Sequence, residues 1–321
     1  MTNYKVIIPV HNPPGKFCEL VELIASGGHD AISSLIVVDD GSDNGVVESA
    51  REKFPSIEVL VGDGSLWWAG GMRMGMERAL ELNADAVVWL NHDCFPDPGT
   101  LAALANLAVR DGTGAVSAWC YCRENPAFGV NPGFRNWKEI PVSELEAGGM
   151  VEVDGVNGNC TAISANAIRR TGLPATRRHP HYGDGPYTWR LHRQGFKNWV
   201  APAHRAALER EFDRCISERD HSSFWNAGLL DKLAYYFLSN RSKHHWRHRY
   251  HDLVEFRGFL LGTLFYPLLQ MRLVRDVAAG HRLVHRQVEE RMDEVLRRYA
   301  DRFPQDCLRR DLKKLISKSQ S

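Results

Sequence analysis

Val6-Ile7-Ile8-Pro9-Val10-His11-Asn12 is a short β-branched run that ends in polar residues, and Ile36-Val37-Val38-Asp39-Asp40-Gly41-Ser42 repeats that design one crossover later. Two more runs follow: Val59 to Val61 before Gly62-Asp63-Gly64, and Ala86 to Leu90 before Asn91-His92-Asp93. Helical patterns lie between them, near residues 17–25, 44–54 and 70–82, each long enough for a crossover helix. Apolar strands alternating with helices predict an α/β fold with an open, mainly parallel, doubly wound sheet. Ligands of such sheets bind beyond the carboxyl ends of the strands, so four polar tips from the first hundred residues mark one site. Carboxylates there suit a metal and a hydroxylated or nucleotide ligand.

Outward from these strands the pattern changes twice. Residues 115–201 are irregular and rich in Gly, Pro, Trp and Asn, with Val151 to Val153 and Cys160 to Ser164 as short strand candidates. After about Ser222, leucines and aromatics recur at helical spacing, as in Leu229, Leu233, Tyr236 and Phe237. The expected plan is one domain over 1–220, divided into a half that carries the polar strand tips (1–114) and an irregular half (115–220), followed by a helical region over 221–321. Residues 258–271 are apolar but shorter than the ~20 residues of a spanning helix, and Pro267 interrupts them. Just upstream, residues 241–250 (RSKHHWRHRY) interleave cations with aromatics, which suits attachment to an anionic membrane surface. A solvated helix face packed on the domain explains the same pattern.

Composition sets the outer bounds. The 321 residues are 44% hydrophobic and 25% charged, as in a globular protein with a sizeable core. A formal charge of +1 gives no global argument for nucleic-acid binding. The seven cysteines (Cys18, Cys94, Cys120, Cys122, Cys160, Cys215 and Cys307) are odd in number and lack paired C-x-x-C spacing, so they read as reduced thiols. Residues 1–10 lack the features of a signal peptide. The cytoplasm is the expected compartment, with peripheral attachment to the inner face of the membrane.

The motifs together resemble family 2 glycosyltransferases, especially the rhamnosyltransferase-like members. The two opening motifs look like the family's first and second strands, and Gly70-Gly71-Met72-Arg73-Met74-Gly75 resembles its glycine-rich segment. Leu90-Asn91-His92-Asp93 resembles its metal-binding D-x-D variant, Gly158-Asn159-Cys160 its acceptor-side turn, and Gly183-Asp184 through Arg190 its E-D motif. The resemblance covers roughly residues 5–210 and implies that residues 1–220 are a glycosyltransferase domain with a donor (nucleotide-sugar) half over 1–114 and an acceptor half over 115–220. It implies a GT-A fold and an inverting transfer of a sugar, such as rhamnose, from a dTDP- or UDP-sugar to a glycan or lipid-linked acceptor in cell-surface polysaccharide synthesis. It also implies a divalent cofactor, Mn²⁺ or Mg²⁺.

Residue by residue, the resemblance gives Asp93 to the metal and Asp184 to catalysis as general base. Asp39 accepts the imide N–H of uracil or thymine, and His11 stacks on the base. Pro9, Val10, Asn12, Gly41, Trp68, Gly71, Arg73, Asn91 and His92 complete the nucleotide-sugar site, while Gly158, Asn159 and Trp67 face the acceptor. Tryptophan rings of the 67–68 pair suit the apolar C–H face of a pyranose. Plainer alternatives stand beside these roles. Asp39 and Asp40 suit the cap of the next helix, Asp184 suits an Asx turn before Gly185-Pro186, and either tryptophan suits the core.

Three departures from the family pattern matter. Asn91 stands where the first aspartate is usual and offers only a carbonyl oxygen or a water-mediated contact. Gly183 stands where glutamate is usual, with His179 and His181 nearby at a spacing that suits a metal, although exposed loop histidines are common. For the late metal ligand, His204 comes early and Glu209 lies nearer the expected place. Two rival classes follow. A sugar nucleotidyltransferase needs a glycine-rich basic loop after the first strand, where Pro13-Pro14-Gly15-Lys16 stands instead. A catalytically silent glycan- or partner-binding module is the second rival, motivated by Asn91 and Gly183.

Overall fold

The computed structural model describes residues 2–27, 29–123, 125–130, 133–136, 138–180, 183–209, 228–239, 242, 244–283 and 297. The chain divides into two compact units, Met1–Glu209 and Arg210–Ser321.

In the first unit the strands are β1 (Tyr4–Val10), β2 (Leu35–Asp39), β3 (Glu58–Val61), β4 (Ala86–Leu90), β5 (Cys94–Pro96) and β6 (Thr113–Cys122). They continue with β7 (Asn125–Gly129), β8 (Phe134–Arg135), β9 (Lys138–Glu139), β10 (Val151–Val153), β11 (Cys160–Ser164) and β12 (Lys197–Leu208). The helices are α1 (Lys16–Ala25), α2 (His29–Ser33), α3 (Val46–Lys53), α4 (Trp67–Glu81), α5 (Thr100–Ala108), α6 (Val142–Glu146), α7 (Ala165–Thr171) and α8 (Asp184–Arg193). One sheet runs in the order β10-β12-β6-β11-β4-β1-β2-β3, with β5 on β12 and β7 on β6. β3, β2, β1 and β4 are parallel, β11 runs antiparallel to both β4 and β6, and β12 is parallel to β6. The doubly wound α/β expectation is therefore met, with one strand reversed where the two halves join.

Burial on both faces explains the near-continuous apolar strands. Val6, Ile8 and Val10 of β1 join Leu35, Val37 and Val88 in one core with Phe17 and Leu20 of α1 and Leu104 of α5. Their sequence neighbours Ile7, Ile36, Val38, Val87 and Trp89 point the other way, to Met72 and Met76 of α4 and Tyr187 and Leu191 of α8. Helix α4 comes closest to β1 where it presents glycines. A β-carbon at Gly71 would stand 2.8 Å from that of Pro9, and one at Gly75 would collide with Ile7. Pro9 sits in a central strand without cost. The Val6 N–H bonds Ser34 and the Val10 carbonyl bonds Asp40, so the even residues of β1 face β2. The missing N–H of Pro9 then faces β4, whose pairing ends at Ile7.

Sequence reading saw residues 115–201 as irregular with two short strands, yet β6 and β12 are the longest strands among the described residues. Small residues fill both (Thr-Gly-Ala-Val-Ser-Ala in β6, Ala-Pro-Ala-His-Arg-Ala-Ala in β12), so neither shows a β-branched run. β12 is also irregular between Ala201 and Arg205, where the register against β6 shifts and Pro202 sits. Helix α4 begins at Trp67, not near Gly70, so the Trp67-Trp68 pair opens a helix.

The second unit holds α9 (Leu229–Leu238), α10 (Trp246–Arg257) and α11 (Phe259–Leu283). Gly258, at φ 79°, takes the left-handed conformation that separates α10 from α11. Pro267 lies inside α11 and does not end it. Among the described residues no helix is long and apolar enough to cross a membrane.

Candidate active site

At the carboxyl end of β2, adjacent carboxylates do different work. Asp39 Oδ1 accepts the Ser42 N–H at 3.0 Å, a tight local turn. Asp40 reaches 24 and 27 residues ahead, where Oδ1 accepts the Gly64 N–H at 2.8 Å and Oδ2 the Trp67 N–H at 3.0 Å. Asp40 thus caps the start of α4, where the positive helix end favours a carboxylate. Neither aspartate caps α3, whose N-cap is Gly45. Gly41, at φ 72°, brings its backbone against Gly64. Sequence reasoning assigned no site role to Asp40, because local rules look for a cap one residue ahead of a helix.

The first-strand tip is tied to the second. The Asn12 N–H donates to Ser42 Oγ at 2.9 Å, Asn12 Oδ1 accepts the Asp43 N–H at 2.9 Å, and Asn12 itself takes φ 47°. His11 is exposed, and its Nδ1 lies 2.7 Å from the Asp40 carbonyl oxygen. A carbonyl only accepts, so Nδ1 carries a proton. Val10 is buried at the end of β1. Gly71 faces the sheet and Arg73 pairs with Glu77 at 3.0 Å one turn along α4. Gly71 packs α4 against Pro9 and Val38 beside the ends of β1 and β2, and Arg73 lies on an exposed helix face.

A chain of hydrogen bonds links the start of α4 and the end of β4 to the turn before β11 and the start of α8. Trp68 Nε1 donates to Asn91 Oδ1 at 2.9 Å, Asn91 Nδ2 donates to Asn159 Oδ1 at 3.0 Å, and the Asn91 N–H donates to the Asn159 carbonyl at 2.9 Å. One residue earlier, the Gly158 N–H donates to Asp184 Oδ2 at 2.7 Å. A β-carbon at Gly158 would lie 2.5 Å from the Trp68 ring and 3.1 Å from Cβ of Asp184, so only glycine fits this joint. Asp184 is the first residue of α8, and this bond spans 26 residues, unlike the local bond of an Asx turn. Pro186 falls in the first helical turn, where proline is tolerated.

Beneath the joint, Trp89 meets Trp68 edge-on at 5.3 Å and Tyr187 at 5.4 Å. Burial pushes the Tyr187 phenol far up, so it remains a donor, to the Gly172 carbonyl at 2.9 Å. Trp68 is half-buried in this stack and Trp67 is 40% exposed. His179, expected on an exposed loop, is buried, and its neighbour Pro180 accepts the Ala69 N–H of α4. His181 lies outside the described residues.

His92 and Asp93 follow Asn91 in a tight turn closed by the Cys94 N–H on the Asn91 carbonyl, 3.0 Å. The Asp93 carbonyl accepts the Glu209 N–H at 2.9 Å, which brings the end of β12 beside it. The Glu209 carboxylate is engaged by Lys16 at 2.8 Å and by Arg123. His204 lies in the irregular stretch of β12. Among the described residues no group of three or more His, Cys, Asp or Glu is arranged to hold a metal ion. One carboxylate completed by substrate phosphates and water is the usual arrangement of Mg²⁺ in phosphate sites, and Asp93 is the single carboxylate of the Asn91–Asp93 turn.

The model of the family described as glycosyl transferase family 2 matches residues 5–172, just over half of the chain. No curated protein matches the sequence. Among solved structures, the mannosyltransferase PcManGT from Pyrobaculum calidifontis, in complex with GDP-Man and Mn²⁺, superposes with a TM-score of 0.54 at 15% identity, covering 99% of this chain and 86% of that one. GalNAc-T7 with UDP, GalNAc and Mn²⁺ also gives 0.54, at 13% identity over 65% of this chain. This chain spans 43% of the length of that GalNAc-T7 chain. At these identities the two likenesses bear on the fold.

Proposed function

Because this chain belongs to glycosyl transferase family 2 and is a glycosyltransferase, we propose that it moves a hexose or deoxyhexose from a nucleoside-diphosphate sugar to a hydroxyl of a glycan or lipid-linked acceptor, with inversion. The nucleoside lies across the tips of β1 and β2, with Asp39 toward the base and His11 beside it. The resemblance of the motifs to rhamnosyltransferases makes dTDP-rhamnose the first donor to try, with UDP and GDP sugars next. Synthesis of a cell-surface polysaccharide is the matching setting.

The observation that carries this reading is the Asp184 carboxylate, fixed by the Gly158 N–H at 2.7 Å and by the Trp68 ring packed against that glycine. Asp184 takes the proton of the acceptor hydroxyl as its oxygen attacks the anomeric carbon, while the bond from that carbon to the diphosphate breaks on the opposite side. Attack opposite the leaving group inverts the centre. A divalent cation at Asp93 would neutralise charge on the departing diphosphate. The Trp68, Asn91 and Asn159 chain holds the acceptor turn against the donor half, so the base and the donor keep a fixed separation.

Asp184→Asn tests this. It keeps the side-chain shape and the bond to Gly158 but cannot take the proton, so kcat should fall by roughly 10²- to 10⁴-fold with donor Kd unchanged. A variant with parental kcat would remove Asp184 from catalysis.

A further inference from the structure

The apolar side of α11 faces outward. Toward α10 it presents Gly262, where a β-carbon would lie 2.8 Å from the Leu253 backbone, so the two helices cross in close contact. Tyr266 also faces α10, its hydroxyl donating to the Trp246 carbonyl at 3.1 Å and its ring meeting Tyr250 edge-on at 5.4 Å. On the opposite side Leu260, Leu264, Leu268 and Met271 are 81%, 67%, 54% and 61% exposed. Their spacing of four, four and three residues makes one continuous stripe. A soluble helix normally shows the reverse arrangement, so this stripe calls for an apolar cover.

Charge indicates which cover. Residues 258–271 carry no charge, and the stripe is bracketed by Arg257, whose guanidinium lies 4.9 Å over Phe265, and by Arg272. Over residues 246–283 six arginines stand against three acids. A second copy of the chain fits poorly: antiparallel pairing of two α11 helices sets Arg257 against Arg272, and parallel pairing sets like against like. Anionic headgroups complement both ends. The twelve residues from Leu260 to Met271 span about 18 Å, well short of the ~30 Å hydrocarbon core.

We propose that α11 lies in the surface of an anionic bilayer, its Leu260, Leu264, Leu268 and Met271 stripe among the acyl chains and Arg257 and Arg272 at the headgroups. This shifts the contact from the cation-rich segment that the sequence singled out. In that segment the Trp246 carbonyl and the Tyr250 ring meet Tyr266 of α11 and Arg247 stacks on the exposed Trp246 ring, while Arg241 and Lys243 lie outside the described residues.

The full chain should float with vesicles of phosphatidylglycerol mixed with phosphatidylcholine, and much less with phosphatidylcholine alone. Leu264→Asp/Leu268→Asp, with parental thermal unfolding as the control, should lower the partition at least about tenfold. Arg257→Gln/Arg272→Gln should lower it about five- to thirtyfold. Failure of the parent to float, or equal flotation of the leucine variant, would overturn the proposal. So would a parent that sediments as a dimer, ignores vesicles and becomes monomeric in the leucine variant, which would assign the stripe to a second copy.

Discussion

The two halves of the first unit, the proposed donor half (1–114) and the proposed acceptor half beyond it, are held in different ways. The donor tips bind one another: Asn12 spans to Ser42 and Asp43, and Asp40 reaches Gly64 and Trp67, all within the first 67 residues. The acceptor turn at Gly158-Asn159 is instead held from outside, by Asn91 of the donor half and by Asp184 at the start of α8. The tips of β1 and β2 are therefore tied together in advance, and with Asp184 as the base proposed above, the reacting geometry would depend on one joint between the halves. Damage to the joint should cost turnover, and damage to the donor tips should cost stability.

Gly158→Ala should show the largest effect. The added methyl meets Trp68 and Asp184, and a shift of about 1 Å in the base costs on the order of 10²-fold in kcat, with donor Kd kept. Parental turnover in this variant would mean the joint does not govern catalysis. Next comes Asp40→Ala, which strips the partners from two backbone N–H groups and should destabilise the fold by about 1–3 kcal/mol in chemical denaturation. A loss of turnover with unchanged stability would reverse the comparison. Trp68→Phe removes one hydrogen bond of about 1 kcal/mol and should lower kcat by no more than about tenfold, at parental donor affinity.

The smallest effect concerns pH. Burial, with the neighbouring Cys120 and Cys160 thiols, pushes the Cys94 thiol well above its usual value. Above about pH 8.5 the unfolded chain releases this proton while the folded chain keeps it, so stability falls as pH rises, by at most about 1.4 kcal/mol per pH unit. Denaturation midpoints between pH 7.5 and 10 should decline, and Cys94→Ala should decline less steeply.

What was legible in the sequence follows from the range of the interactions involved. β1 to β4 were readable because strands buried on both faces need unbroken apolar runs, and Ile36-Val37-Val38 or Val87-Val88-Trp89 can hardly be anything else. β6 and β12 were not, since small residues and a proline make a strand only when neighbours supply the ladder. The start of α4 was misplaced by three residues because its cap, Asp40, lies 27 residues upstream. In the site, Asp184 was visible from its motif, but its bond to Gly158 and the Trp68 to Asn91 contact join residues 26 and 23 apart. No local pattern encodes them. Asn91 in particular read as an uncharged stand-in for a metal ligand, and nothing nearby in sequence signals that its amide also bonds Trp68 and Asn159.

The neighbouring carboxylates at the end of β2 bear on how mutational scans of such enzymes are read. In such a scan Asp40→Ala would score as lowered activity because less folded protein remains, and inspection of the Asp-Asp pair alone would credit Asp40 with touching the donor. The loss would instead travel through an unmoored helix: α4 carries Trp68, and Trp68 carries the joint at Gly158. A scan that records only activity therefore merges a ligand contact with a hinge pin one residue away, and abundance measured beside activity separates them.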